Sequence, residues 1–432
     1  MTSTADRPIA ILSAPGSRGD VNPMVAIGAQ LRRSGFDVVI SLAENYAHVA
    51  EAAGLIVEPV ISRADFDGMI NDPGVWKPFS GARAILRDAV GRFIEPHMQV
   101  IAKHHRPQRT ILVSHPLDFA SRIHRDLNPA TPLVGIHLSP VMIRSFTDPP
   151  RLSPWWFEPR RPPWLMKLGY AIVDYTIADR FLSPSVNGTR KRLGLPRVSR
   201  IFDRWWLSPD LVLGMYPDWF GNQRANNSGD WKACGFPIIR DGSEASPADN
   251  SGKNLPIFFT PSTAHKHAQA FFLNAIAACD LIGKPCILAT AYPEQLPPKL
   301  PSHVTSTGYV PLDPLLRSCA AIVHHGGIGT TSMALATGCP QLVCPLAFDQ
   351  FHNADQVVRL STGTIAAGNP WNHSPEEVRK LSTALRSLID ATHTRQQCAD
   401  LAAKQDSFAG AETAAIAIKQ RLVLREVNDL AR

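Results

Sequence analysis

The chain is 432 residues long, with 44% hydrophobic and 19% charged residues. That length exceeds one ordinary core and predicts two or three globular domains. The net charge of +7 contains no block of five Lys or Arg and no nucleic-acid-binding motif, so no nucleic-acid partner is expected; the excess suits an anionic small ligand or an anionic membrane surface.

In chain order, "PIAILSA" reads as a buried strand and "PGSRGD" as a turn. "VNPMVAIGAQLRRSG" reads as a helix with Met24, Ile27 and Leu31 on one face and Gly35 ending it. "FDVVISL", "RTILVS" and "TPLVGIHLS" are further strands. Continuous apolar strands separated by helices predict a parallel sheet covered on both faces. Residues 140–210 break the alternation and hold five of the nine Trp residues among many Arg and Pro. Two readings stand for this insertion: aromatics that fill its own core, or an apolar acceptor pocket or membrane-facing lip. The stretch 240–254, "RDGSEASPADNSGKN", has almost nothing to bury and reads as a linker.

The alternation restarts at "LPIFFTPST" (255–263), followed by a helix around 265–282 and the strands "PCILAT", "HVTSTGY", "AAIVHH" and "PQLVCPL". "SPEEVRKLSTALRSLID" is a helix with Ser374 as N-cap, Pro375 at the first position, Glu377 closing a capping box, and Val378, Leu381, Leu385 and Leu388 as its apolar face. The expected organisation is a first α/β domain over 1–239, the linker, a second over 255–410, and a C-terminal helix over 411–432 free to pack back on the first. Both domains are expected to be doubly wound, with a ligand held at the carboxyl ends of their strands. The seven cysteines are odd in number and form no CxxC, which predicts reduced thiols. No apolar run is long enough for a transmembrane helix or a signal peptide, so a cytoplasmic location is expected.

The chemistry concentrates in "IVHHGGIGTTSMALATGCPQLVCPLAFDQFHNADQ" (322–356). A glycine turn feeding a helix leaves backbone N–H groups free at the positive dipole end, which suits a diphosphate. His325 can donate to a phosphate oxygen, and Thr330 and Thr331 can cap the helix. Asp349 and Gln350 follow the next strand, and a carboxylate beside an amide suits vicinal hydroxyls. A phosphate site and a hydroxyl site one strand apart point to a nucleotide-sugar.

"HHGGIGTT…GCPQLVCPLAFDQ" resembles the donor signature of GT-B glycosyltransferases, and "GSRGDVNPMVAIGAQLRRSGFDVVISLAENYAHVAEAAGLIVEPV" resembles their bacterial N-terminal opening. The resemblance implies a GT-B fold, two Rossmann-like doubly wound parallel-sheet domains facing a cleft. "NDPGVWKP", "RFIEPHMQVI", "VNGTRKRLGLPRVSRIF", "MYPDWFG" and "GFPIIRDG" are similar to the rhamnosyltransferase chains of rhamnolipid synthesis. By that resemblance the reaction is inverting transfer of L-rhamnose from dTDP-L-rhamnose to a hydroxyalkanoyloxyalkanoate lipid. His325, Gly327, Ile328, Gly329 and Thr330 would hold the diphosphate. Asp349 and Gln350 would hold the sugar, Thr263 would donate to a phosphate, and Tyr309 and Val310 would meet the nucleobase. The class works without a metal or cofactor, so neither is expected. Peripheral contact with a membrane is expected from the basic, Trp-rich insertion.

Such a reaction needs a base for the acceptor hydroxyl. Many relatives place a His in the loop after the first strand; here the candidate is Asp20, which could instead be a helix N-cap. An ordinary carboxylate is a weak base for an alcohol, so burial or a relay would help, and His115, Asp118 and His137 lie near later strand ends. Alternatives are a polyketide, sterol or other small aglycone as acceptor, a non-catalytic nucleotide-sugar-binding partner protein, and a dinucleotide oxidoreductase. The last needs GxGxxG after the first strand, where "PGSRGD" supplies only GxxG. "DFD" at 65–67, "HKH" at 265–267 and His104–His105 have only loose metal-site patterns.

Overall fold

The computed structural model describes residues 7–76, 81, 83–146, 149–151, 162–221, 230–238, 254–263 and 265–430. Trp155 and Trp156 of the insertion and all of the expected linker except Asn254 lie outside the described residues. The chain divides into two units. One comprises Met1–Pro150, Trp155–Pro237 and Ala409–Arg432; the other comprises Arg151–Pro154 and Ile238–Phe408.

The first unit is built on seven strands: β1 (Ile9–Ala14), β2 (Asp37–Ala43), β3 (Ile56–Ile61), β4 (Thr110–Ser114), β5 (Leu133–His137), β6 (Leu211–Gly214) and β7 (Asp230–Ala233). All pairings are parallel, in the order β3-β2-β1-β4-β5-β6-β7. Every residue of β1, β4, β5 and β6 is buried, as continuous apolar runs covered on both faces require. The order reverses between β1 and β4, so the crevice at this switch point receives the loops that follow those two strands.

The 140–210 insertion contributes helices Pro163–Val173 and Asp179–Arg192 with π-helical turns at Asp174–Ala178 and Ile201–Trp205. Its described aromatics divide. Trp205 packs with Phe119, Leu182, Val186 and Ile201, and its indole N–H donates to Asp126 (2.7 Å). Trp206 donates to the carbonyl of Pro116 (2.7 Å). Trp164 stays 65% exposed. The own-core reading therefore holds for two of these rings and not for the third.

The helix Gly410–Leu430 closes the first unit, packing along the helix Arg18–Arg33. Arg421 reaches Asp230 (3.2 Å) and Asp210 (3.6 Å), and the N–H of Gly410 donates to Phe236 (3.0 Å). A Cβ on Gly410 would lie 2.1 Å from the carbonyl of Gly235, so the chain can re-enter this unit only through a glycine.

The second unit carries β8 (Ile257–Thr260), β9 (Cys286–Ala289), β10 (Val304–Thr307), β11 (Ala321–His324), β12 (Gln341–Val343) and β13 (Gly363–Ile365). They form a parallel sheet ordered β10-β9-β8-β11-β12-β13, with its switch point between β8 and β11. The helix expected around 265–282 begins at Gln269. Helix Pro375–Asp390 buries Val378, Leu381, Leu385 and Leu388, and the hydroxyl of Ser374 accepts the N–H of Glu377 (3.2 Å). The other half of the expected capping box is missing. The carboxylate of Glu377 instead accepts the N–H of Asn369 (2.7 Å) and pairs with Lys380 (3.1 Å). All seven cysteines are buried free thiols.

Candidate functional site

In the first unit, the helix Arg18–Arg33 starts directly after the β1 turn. Its N-cap is Ser17 and not Asp20; Asp20 stands at the third helical position and closes a capping box. One carboxylate oxygen of Asp20 accepts the Ser17 N–H (2.8 Å) and hydroxyl (3.2 Å). The other lies 3.2 Å from Nε2 of His115, which follows β4. A Cβ on Gly16 would lie 2.1 Å from the Asp20 carboxylate, so a glycine there lets the side chain fold back onto its cap.

The imidazole of His115 is oriented by its other nitrogen. Nδ1 accepts the N–H of Leu117 (3.2 Å), which puts the proton on Nε2 and makes His115 a donor to Asp20. Burial by itself would raise the pKa of Asp20. The hydrogen bond from His115, with the two bonds from Ser17, outweighs it and holds the carboxyl below its ordinary value. Asp20 is thus an ionised carboxylate with a third of its side chain open to solvent, beside a nearly enclosed imidazole.

The other two residues near these strand ends do different work. Asp118 accepts both the N–H (3.0 Å) and hydroxyl (2.6 Å) of Ser121 and pairs with His97 (3.3 Å). Nδ1 of His97 bonds Ser41 (2.8 Å), so the network is buried and satisfied and anchors the loop that carries His115. Burial would raise the Asp118 pKa, yet the His97 and Ser121 contacts pull it down to about 2. His137 is buried edge-on against Trp206, and burial lowers its pKa to about 3.

In the second unit, β11 ends at His324, and His325–Gly327 form the turn. His324 is buried between partners: Nδ1 accepts the N–H of Gly326 (3.1 Å) and Nε2 bonds Gln341 (3.1 Å). The helix Ile328–Thr337 begins two residues earlier than its Thr pair suggests, and its N-cap is Gly327. Thr330 and Thr331 are therefore inside the helix and do not cap it. The first intrahelical bond runs from the N–H of Thr331 to Gly327 (3.0 Å). The N–H groups of Ile328, Gly329 and Thr330 consequently have no intrahelical acceptor.

The two turn glycines are needed for different reasons. Gly326 has φ +93, and a Cβ there would lie 2.7 Å from Val343 and 3.0 Å from the carbonyl of Gln350. Gly327 has an ordinary φ of −61, but a Cβ would lie 2.4 Å from Nε2 of His325. The His325 ring thus lies against the bare backbone at the helix start. Burial, then the nearby His324 and His265, lower its pKa to about 3, so it is neutral near pH 7 and offers one ring N–H.

Asp349 is the N-cap of the helix Gln350–Arg359. Nδ2 of Asn353 bonds both Asp349 (2.8 Å) and the carbonyl of Gly326 (2.9 Å), tying the carboxylate to the glycine turn. The carbonyl of the Gln350 side chain is committed to the N–H groups of Leu346 (2.7 Å) and Ala347 (2.9 Å), which leaves its amide N–H groups for any other partner. Thr263, beyond β8, is exposed, and its backbone carbonyl receives the Tyr292 hydroxyl (3.4 Å). Tyr309 is 55% exposed just beyond β10, with Val310 half-buried beside it.

Sequence reasoning missed Asn353; it offered His115, Asp118 and His137 as aids to Asp20, and of these the structure brings His115 to the carboxylate. The S-x-x-D spacing of Ser17 and Asp20 was a legible signal for the cap. Of the loose metal-site patterns, Asp65 is bound by Ser62 (2.7 Å) and Arg92 (2.9 Å), and Asp67 by Asn45 (3.0 Å). His104 pairs with Glu58 (2.6 Å) and His105 with Thr131 (2.8 Å). Among the described residues no group of three or more His, Cys, Asp or Glu is placed to hold a metal ion.

Residues 284–418 match the family model described as the C-terminal domain of erythromycin biosynthesis protein CIII-like proteins. The chain is 26% identical over 399 residues to dTDP-epi-vancosaminyltransferase of Amycolatopsis orientalis, covering 89% of this chain and 91% of the relative. It is 28% identical over 444 residues to O-mycaminosyltylonolide 6-deoxyallosyltransferase of Streptomyces fradiae, covering 95% and 97%. Among solved structures, the glycotransferase of kitacinnamycin superposes with a TM-score of 0.71 at 18% identity, over 96% of this chain and all of that one. The spinosyn rhamnosyltransferase complexed with thymidine diphosphate superposes with a TM-score of 0.64 at 18% identity, over 96% and 99%.

Proposed function

The chain is a nucleotide-sugar glycosyltransferase of the GT-B fold, and from that premise we propose that it moves L-rhamnose from dTDP-L-rhamnose to the hydroxyl of a lipid such as a hydroxyalkanoyloxyalkanoate, with inversion and without a metal. The observation that carries the donor assignment is the turn at 325–330, where three N–H groups without intrahelical acceptors, two glycines whose Cβ would meet neighbouring atoms and a neutral histidine meet at a helix N-terminus. The diphosphate lies on Gly327, Ile328, Gly329 and Thr330 with a hydrogen bond from His325. Thr263 donates to a phosphate oxygen, Asp349 and the amide N–H groups of Gln350 hold sugar hydroxyls, and Tyr309 and Val310 meet the base.

Asp20 takes the proton of the acceptor hydroxyl as its oxygen attacks the anomeric carbon and the bond to the diphosphate breaks. Because Nε2 of His115 already carries a proton, His115 orients the carboxylate and keeps it ionised; it does not relay the proton onward. The helix-end N–H groups and His325 stabilise the charge that gathers on the leaving diphosphate. The lipid reading of the acceptor rests on the resemblance to rhamnosyltransferase chains and on the aromatic insertion. Peripheral membrane contact in the cytoplasm follows from it. No described helix is long and apolar enough to cross a membrane.

A second reading draws on names among the relatives, two of which are sterol 3-beta-glucosyltransferases and one an O-mycaminosyltylonolide 6-deoxyallosyltransferase: the same machinery would then serve a polyketide or sterol aglycone. A mass-spectrometric screen of nucleotide-sugars against hydroxy-fatty-acid dimers and polycyclic aglycones separates the two. Rhamnosylated lipid is the expected product; a glycosylated polycycle with no lipid product would transfer the assignment to the second reading.

Gly327→Ala tests the donor turn without straining its backbone. The new Cβ must displace the His325 ring, so affinity for thymidine diphosphate should fall by about tenfold or more, the value of one charge-assisted hydrogen bond. The melting temperature should stay nearly unchanged, since φ there suits any residue. Calorimetric titration and thermal melting together give the answer; unaltered affinity would remove His325 from the donor site.

A further inference from the structure

Four large apolar side chains of the insertion stand out of the protein on one line. Trp164 is 65% exposed, Leu168 50%, Ile172 54% and Tyr175 82%. Their spacing of four, four and three residues places them on one face of the helix Pro163–Val173 and its continuation through Asp174–Ala178. The opposite face is what the fold uses: Met166, Tyr170, Asp174 and Ala178 are buried. A stripe of this kind loses solvation free energy wherever it faces water, and monomeric proteins seldom leave one without a purpose.

The charges around the stripe select its partner. Between residues 160 and 204 there are ten Lys or Arg and only three acids, Asp174, Asp179 and Asp203. Each acid is already engaged inside the protein. Asp174 is bound by Arg144 (2.7 Å), Asp179 accepts the backbone N–H groups of Arg200 (2.7 Å) and Ile201 (3.0 Å), and Asp203 pairs with Arg200 (2.5 Å). Lys167 is exposed beside Leu168 and Arg180 at the far end; Arg200 and Arg204 are exposed there around the single carboxylate of Asp203, which leaves one net positive charge. Among the described residues, the surface that accompanies the stripe therefore presents net positive charge and almost no free anion.

We propose that this face docks on an anionic lipid bilayer, with Trp164, Leu168, Ile172 and Tyr175 entering the interface and the Lys and Arg residues meeting lipid phosphates. The stripe runs about 16 Å along the helix axis, enough to lie in the interface plane and about half of what spanning requires. Its two aromatics stand at its two ends, the pattern of amphipathic rings at a membrane surface. Those aromatics expose together only about 300 Å², and the whole stripe falls short of the roughly 800 Å² per partner that a stable protein complex buries. Shallow insertion assisted by charge matches both the small area and the sign of the field. The inference deepens the lipid-acceptor reading, since a chain docked this way works where such acceptors partition. It rests on that reading for purpose alone.

Flotation with vesicles, in the absence of donor and acceptor, tests docking separately from the reaction. Full-length chain should float with phosphatidylcholine vesicles containing one-third phosphatidylglycerol and much less with phosphatidylcholine alone. Leu168→Asp with Ile172→Asp should lower the partition coefficient by about tenfold or more. Lys167→Glu should lower it by about fivefold or more, the effect of at least one lost cation near a charged surface. Leu168 and Ile172 are half exposed and Lys167 is exposed over the ring of Phe146 (5.2 Å), so melting temperatures should fall little from the parent's. Equal flotation of parent and double variant would overturn the proposal. So would absence of flotation together with a parent dimer that the double variant converts to monomer by light scattering, which would make the stripe a contact between copies. Docking without rhamnosyl transfer would leave the surface standing and refute the acceptor assignment; transfer without docking would do the reverse.

Discussion

Asp20→Asn should leave the affinity for thymidine diphosphate unchanged and lower the turnover of sugar transfer by about 10²- to 10⁴-fold, the usual contribution of a positioned base. The substitution keeps the shape of the side chain. An Asn carbonyl can still accept the Ser17 N–H, so the helix cap survives, while the bond from Nε2 of His115 is lost because the Asn amide offers it only a donor. The acid limb of activity gives a second reading of the same group. Hydrogen bonds from His115 and Ser17 hold the Asp20 pKa below its ordinary value of 3.8. Asp20 is therefore ionised throughout the neutral range, and if it is the base its protonation should cut activity only below about pH 4. His115→Ala should raise that limb toward ordinary carboxylate values while reducing turnover less than Asp20→Asn does. Retention of most turnover in Asp20→Asn would mean that another group takes the proton.

The largest expected loss of stability follows from Asp118→Ala. Its carboxylate is enclosed between His97 and Ser121, and removing one partner of such a buried pair costs about 3–5 kcal/mol. The sign of the pH dependence is fixed by the direction of the shift. The folded pKa of about 2 lies below the ordinary 3.8, so the stabilisation is complete above 3.8 and is lost as pH falls through about 2. That shift is worth about 2 kcal/mol. Urea unfolding of parent and variant should show a wide gap at pH 7 that narrows by about that amount toward pH 2. A gap independent of pH would mean that packing, and not the ionised carboxylate, is what Asp118 supplies.

The chemistry of the two sites was unevenly legible in the sequence. Central strands such as "AILSA" and "IFFT" declared themselves because both of their faces are buried. β3 did not: "IVEPVI" lies at the sheet edge, none of its residues is fully buried, and Ile56 is half exposed. β6 and β13, with four and three residues, were not read as strands either. The glycine turn proposed to hold the diphosphate was readable as a turn, yet its helix start was placed at the threonines because Gly-Ile-Gly has little helix propensity. The backbone geometry at Gly327 decided otherwise.

Pairings between distant residues were the least visible. Asp20 and His115 are 95 positions apart and meet because β1 and β4 are neighbours, a fact of strand order that no local pattern contains. The same holds for His97 and Asp118, which come from a helix and a loop. Gln350 shows the opposite case. Its residue type fitted a sugar, but its amide oxygen is used to hold the loop at Leu346 and Ala347, and only three-dimensional packing reveals that commitment.

A crystal structure of the chain with thymidine diphosphate bound tests the central claim most directly. The account predicts the diphosphate at the start of the helix Ile328–Thr337, with its oxygens within hydrogen-bond distance of the backbone N–H groups of Ile328, Gly329 and Thr330 and of the His325 ring. A diphosphate bound elsewhere, with the turn at 325–330 open to water, would contradict it.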